Sequence, residues 1–201
     1  THVQKNISSL GVECDIFTNS NWENIEKVRY VDDRTNQMFI RIDKNDDAVT
    51  RCDVTEIEFE NYDAIIVSDY DKGFLKESDI EYIFDHHPVT FLDTKKVIGS
   101  WAKKAKFIKI NSTEYAQSEL SFDEHYNKKL IVTMGKQGCR YDDKVYAVPD
   151  VSIKDVSGAG DTFLAALATE YLKTKDITKA IIFANDCSTQ VVQKRGVTVV
   201  N

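Results

Sequence analysis

Tyr62-Asp63-Ala64-Ile65-Ile66-Val67-Ser68 is a nearly continuous apolar run, the composition of a strand covered on both faces. Working outward, a helical stretch is expected at 76–85, with further strands at 89–92, 107–110 and 130–133. Upstream, 12–18 reads as a strand. Residues 27–31 and 37–42 alternate in polarity around Asp32, Asp33, Arg34, Thr35 and Asn36, which describes a half-exposed ribbon of two strands. Downstream, 138–141 and 144–148 flank Asp142 and Asp143 as a hairpin, and helices are expected at about 160–173 and 177–194. The first of these helices sets Phe163, Leu167 and Tyr171 on one apolar face. Such repeated switching between extended and helical patterns favours an α/β domain.

Composition narrows the function classes. The formal charge is −7 with acids and bases well mixed, so the surface repels phosphate backbones and a nucleic-acid partner is not expected. A local cluster of donors can still hold a small anion. Cys14, Cys52, Cys139 and Cys187 are far apart and form no Cys-x-x-Cys pair, which reads as free thiols in a reducing compartment rather than a zinc or redox site. Apolar stretches such as 64–67 are far too short to span a bilayer, so no membrane partner is expected and a cytoplasmic protein is. The two prolines, Pro88 and Pro149, mark no linker, and 201 residues suit one domain with a small appendage.

The chemistry gathers at 155–163, Asp-Val-Ser-Gly-Ala-Gly-Asp-Thr-Phe. Gly158, Ala159 and Gly160 have little or no side chain, so their N–H groups can approach a ligand where the chain enters a helix. Such a cradle suits a γ-phosphate and the charge that develops as it is transferred. Asp161, the first carboxylate beyond it, is placed to accept a proton from an attacking hydroxyl. A glycine turn with Asp161 as a simple cap would look similar. A dinucleotide fold would carry its glycines near the first βα turn as GxGxxG, whereas here only GAG occurs, late in the chain.

This segment resembles the second signature of the ribokinase, or PfkB, family of sugar kinases, D-T-x-G-A-G-D, with Val156 replacing Thr. The resemblance implies that Asp161 is the catalytic base and that Gly158, Ala159 and Gly160 form the anion hole. Asn111-Ser112-Thr113-Glu114 is similar to the family's N-x-x-E, which helps position magnesium and the nucleotide phosphates; alone it would be a helix cap with a reciprocal Glu. Thr133-Met134-Gly135-Lys136-Gln137-Gly138 is similar to T-x-G-x-x-G, implying nucleotide contacts by Thr133, Gly135 and Gly138; alone it would be a hairpin turn. Asn185 matches a family position beside the adenine.

Ser68-Asp69-Tyr70-Asp71-Lys72-Gly73 and Leu92-Asp93-Thr94-Lys95 resemble elements of bacterial heptose-7-phosphate kinases, with Thr94 in place of Pro. Residues 27–43 resemble that group's lid. Asp69, Lys72, Asp93 and Lys95 lie at C-terminal ends of expected parallel strands, where open α/β sheets gather ligands. There an Asp can accept from sugar hydroxyls and a Lys can meet phosphate. Asn6 matches a sugar-binding Asn, and His2 stands where the family has another. The family's opening strand and Gly-Gly motif are not among these residues, so the domain is expected to be N-terminally incomplete, with its final helix cut short.

The resemblance implies a three-layer α/β/α sandwich on a mostly parallel sheet, with a β-lid at about 26–43 that can pair two subunits into a homodimer. It implies ATP and Mg2+, and K+ at Asp155 in the manner of several members. The expected reaction is transfer of the γ-phosphoryl group to a hydroxyl of a small sugar or sugar phosphate, a heptose 7-phosphate first. The alternatives are a kinase for another sugar or nucleoside, and a nucleotide-binding protein that no longer catalyses.

Overall fold

The computed structural model describes residues 1–200 except 21, 33, 36, 46–48 and 119–123, and of 124 and 125 the backbone alone. Helix α1 (His2–Ser9) is followed by the two-stranded ribbon β1 (Glu26–Val31) and β2 (Met38–Lys44), then β3 (Ile65–Asp69), α2 (Glu77–His86) and β4 (Thr90–Thr94). Next come β5 (Phe107–Asn111), α3 (Ser112–Gln117), α4 (Glu124–Asn127) and β6 (Leu130–Thr133), then the hairpin β7 (Cys139–Tyr141) and β8 (Lys144–Tyr146). Two long helices, α5 (Ala159–Thr174) and α6 (Ile177–Val192), follow. The main sheet has six strands in the order β3-β4-β5-β6-β7-β8. Pairing from β3 through β6 is parallel, and β7 and β8 close the sheet antiparallel.

Successive strand residues point to opposite faces, and the core divides accordingly. Phe91, Phe107 and Ile131 join α1, α5 and α6 on one face, while Leu92, Ile108, Ile110, Leu130 and Val132 join α2, Trp101 and Tyr126 on the other. Both faces are covered, as the unbroken apolar runs require. The result is the expected three-layer sandwich.

Helix α5 is buried continuously from Thr162 through Thr169 because it lies between the sheet, α1 and α6. Phe163 and Leu167 enter this core, and Tyr171 sits edge-on to Phe107, with ring centroids 4.9 Å apart. Lys175 ends the helix in the left-handed region at φ 55°, and Asp176 caps α6 by accepting from the N–H groups of Thr178 and Lys179.

Residues 12–18 correct one expectation, since they form no strand. A strand needs a partner for its backbone groups, and here an apolar groove of about 450 Å³ lies between this segment and the β3 edge. Side chains tether it instead. Tyr62 Oη donates to Asp15 at 3.1 Å, and the Phe17 ring meets Tyr62 edge-on. The ribbon appears as expected, although Asp33 and Asn36 of its turn lie outside the described residues. Among the described residues no helix is long and apolar enough to cross a membrane. All four cysteines are free thiols, and burial pushes Cys139 up to about 12 and Cys187 up to about 11.

Candidate active site

The GAG segment builds the first turn of α5. Gly158 caps it in the left-handed region at φ 83°, where a side chain is strained, and a Cβ there would meet His2 Nε2 at 2.6 Å. Ser157 N–H donates to Asp155 Oδ1 at 2.8 Å, which folds the approach to the helix. The leading N–H groups of a helix have no carbonyl behind them inside the helix, so the turn lies at the positive end of its dipole, with the Ala159 N–H donating to the Val156 carbonyl at 3.2 Å. A Cβ on Gly160 would stand 3.0 Å from Lys109 Nζ, so a buried ammonium borders the same turn.

Strand register explains why that lysine is there. Asp93 of β4 and Lys109 of β5 are direct cross-strand partners on the α5 side of the sheet, and Lys109 Nζ donates to Asp93 Oδ2 at 2.6 Å. Both are buried. Burial pushes the Asp93 carboxyl up, and the Lys109 charge opposes that shift.

Two further Lys–carboxylate pairs continue this row of strand ends. Lys95 is ion-paired with Glu114, whose charge outweighs burial and raises the lysine. Lys96 bridges Asp69, at 3.3 Å, and Asp71. Asp69 also accepts from Thr94 Oγ1 at 2.7 Å, which ties β4 to β3.

Asp161 faces this row from α5. Tyr70 Oη donates to its carboxylate, 3.0 Å from Oδ1 and 3.1 Å from Oδ2. The ribbon reaches over the same place, with Lys27 Nζ 4.5 Å from the centre of the Tyr70 ring. Arg29, on the same strand, helps hold Asp155 low. Burial pushes Asp155 up, but hydrogen bonds from Ser157 and the Gly196 backbone win and leave it below the usual carboxylate range.

A second group meets at the ends of β5 and β6. Asn111 Oδ1 accepts from the N–H groups of Thr113 and Glu114, and Glu114 Oε2 accepts from Asn111 N–H at 2.8 Å. The capping reading of N-x-x-E is therefore realised. With one oxygen on a backbone N–H and the other on Lys95, Glu114 fits magnesium through metal-bound water better than as a direct ligand. Thr133 is the register partner of Asn111, and the turn from Met134 to Gly138 follows it. Gly138, at φ 86°, lies so close to β8 that a Cβ would fall 2.0 Å from the Tyr146 carbonyl oxygen. Gly135 also has positive φ but faces open space. Asn185 Nδ2 donates to the Tyr146 carbonyl at 2.9 Å, fastening α6 to the hairpin.

The structure thus brings Gly158, Ala159, Gly160, Asp161, Asp93, Lys95 and Glu114 to one region, with Asn111, Thr133, Gly135, Gly138 and Asn185 beside the hairpin. Lys72 is exposed after β3. Three residues expected at a sugar have partners within the protein, the first being Asp93 with Lys109. Asn6 is fully buried, donating to the His2 carbonyl and accepting from Thr162 Oγ1 and Val200 N–H. Asp69 is held by Thr94 and Lys96. Among the described residues no group of three or more His, Cys, Asp or Glu could hold a metal ion.

Sequence reading missed Lys109 and Tyr70. A charged residue inside the apolar strand 107–110 was the available signal for the first, and the second stands inside the Ser68–Gly73 element, where it was given no role.

The family model described as pfkB family carbohydrate kinase matches residues 1–201. The bifunctional protein HldE of Nitratiruptor sp. is 29% identical over 188 residues, covering 81% of this chain and 40% of that protein. The chain therefore spans about two-fifths of that relative's length. A Burkholderia thailandensis nucleoside kinase solved with inosine superposes with a TM-score of 0.72 at 14% identity, covering 99% of this chain and 81% of that one. Arabidopsis thaliana ribokinase, solved with ribose and ATP, gives a TM-score of 0.61 at 18% identity over 86% of this chain and 64% of that one. With the GAG turn, the three-layer sheet and a match along its whole length, this chain belongs to the pfkB family of carbohydrate kinases.

Proposed function

We propose that residues 1–201, with their lid at 26–43, form one kinase unit that transfers the γ-phosphoryl group of ATP to a hydroxyl of a sugar phosphate, a heptose 7-phosphate in preference to a free sugar or nucleoside. The observation that carries this reading is the GAG turn of α5 with Asp161 beside it, facing a row of Lys–carboxylate pairs on three strand ends. Gly158, Ala159 and Gly160 hold the charge that develops on the transferred group, and Asp161 takes the acceptor's proton. Asn111 and Glu114 would orient water around magnesium bound with ATP, which would supply neutralisation of the phosphate charge. Thr133, Gly135, Gly138 and Asn185 shape the nucleotide side, and Asp155 offers a low-lying carboxylate for K+. Lys95, Lys72 and Asp93 meet the acceptor; Asp69 is held beside them by Thr94 and Lys96, and Asn6 fastens α1 to α5. This chemistry suits the cytoplasm, where ATP and sugar phosphates meet.

Lys95 is half-exposed, so its charge is available to a sugar phosphate. A charge-assisted contact to phosphate is worth about 1.5–3 kcal/mol, or roughly 10- to 100-fold in specificity. The full-length protein should therefore show a much higher kcat/KM for heptose 7-phosphate than for ribose, fructose or a nucleoside, and Lys95→Met should erase most of that ratio. A clear preference for an unphosphorylated acceptor would defeat the heptose reading and leave the kinase reading standing.

Glu114→Gln separates metal binding from capping. It should raise the magnesium concentration needed for half-maximal activity as well as lower thermal stability. Lost stability with an unchanged magnesium titration would leave Glu114 a cap alone.

The ribbon also suits a homodimer. Tyr30, Ile40 and Ile42 share one face, and Tyr30 and Ile40 are each more than half exposed, at 54% and 52%. Light scattering should find a dimer that Ile40→Asp converts to monomer. A monomeric wild-type protein would contradict this.

A further inference from the structure

We propose that Tyr70 is a positioning residue that occupies the acceptor's place on Asp161, so that water is not activated until a sugar hydroxyl displaces the phenol. The inference rests on Asp161 being the base. An acceptor hydroxyl must donate to that carboxylate in order to give up its proton. Tyr70 Oη already donates there, at 3.0 Å and 3.1 Å from the two oxygens. The phenol is a poor competitor for the reaction itself. Burial of its hydroxyl end and the Asp161 charge hold its proton well above the ordinary tyrosine range, so it fills the position without becoming a nucleophile.

Tyr70 is not locked into the core. It lies just beyond the end of β3, before the left-handed Asp71, and is 44% exposed. Besides Asp161, it is held by a side-chain hydrogen bond with Ser68 and by Lys27 of the ribbon, stacked 4.5 Å from the ring centre. Displacing Tyr70 therefore disturbs a contact with β1, which couples acceptor entry to the ribbon above the GAG turn. Without the phenol, a water on Asp161 can attack the γ-phosphorus. The bond from that phosphorus to the β–γ bridging oxygen breaks, Asp161 takes the water proton, and ADP and inorganic phosphate leave.

The experiment compares ATP hydrolysis without acceptor in wild type, Tyr70→Phe, Lys27→Met and Tyr70→Phe/Asp161→Asn, beside sugar-phosphate transfer by Asp161→Asn. One hydrogen bond to a carboxylate corresponds to about a tenfold change in occupancy. Tyr70→Phe should raise acceptor-free hydrolysis by about tenfold and lower the acceptor KM, and the added Asp161→Asn should remove the gain. A residue with a merely structural role would lower every rate instead. Lys27→Met, which keeps the hydroxyl, should give a smaller rise and serves if the phenylalanine variant folds poorly. Hydrolysis at or below the wild-type level in both variants would overturn the proposal. If at the same time Asp161→Asn has lost transfer, only the role of Tyr70 fails. If Asp161→Asn transfers normally, the base assignment falls and this inference with it.

Discussion

Asp161→Asn should lower kcat by about 10² or more while leaving the affinity for ATP nearly unchanged. Asparagine keeps the size of the side chain and can still accept one hydrogen bond from Tyr70, so the first turn of α5 should survive. It cannot take the acceptor's proton. The Gly158 conformation and the N–H groups of the turn are backbone features, so the phosphate cradle persists and nucleotide binding with it. Calorimetry with ATP and steady-state turnover on one preparation separate the two effects. Wild-type turnover in this variant would remove Asp161 from the mechanism.

Lys109→Met should cost about 3–5 kcal/mol of folding stability, because it strips the cation from a carboxylate buried between α5 and the sheet. The remaining Asp93 would respond by holding its proton. Its carboxyl is already pushed up by burial, and without Lys109 it rises further. A carboxyl raised in the folded state binds more protons there than in the unfolded chain. The variant's stability therefore falls as pH rises from the ordinary carboxylate range through the raised folded pKa. Adding Asp93→Leu should recover most of the loss, since a buried ion pair often exchanges for apolar side chains at little cost. By contrast, Lys104→Met breaks a surface pair with Asp85 and should change stability by less than about 1 kcal/mol. Urea titrations at several pH values measure all four proteins. A Lys109→Met loss as small as that of Lys104→Met would mean that Asp93 is not charged in the folded state.

The contrast between these two residues marks how far the sequence could be read. Asp161 and the GAG turn are consecutive, so one segment displays both the cradle and the carboxylate beside it. The strands from 62 to 133 were equally plain, because burial on both faces leaves a continuous apolar run. Lys109 and Asp93 are 16 residues apart, and they meet only because β4 and β5 pair in one register; a shift by one residue would send Lys109 to the opposite face. Tyr70 and Asp161 are 91 residues apart and meet across the gap between the sheet edge and α5. Residues 12–18 misled for a related reason, since their pattern suits a strand but strand formation depends on a partner's backbone. Asn6 had the residue type for a sugar contact, yet its burial against Thr162 and Val200 depends on how α1 docks on α5.

The central claim is phosphoryl transfer from ATP to a sugar phosphate at Asp161. It is tested most directly by following the label of γ-32P-ATP in the full-length protein supplied with magnesium and heptose 7-phosphate. The label should appear in a doubly phosphorylated heptose, in step with ADP, and Asp161→Asn should abolish its appearance. Label that stays in ATP, or reaches only inorganic phosphate, with heptose 7-phosphate and with every free sugar and nucleoside tried would contradict the account.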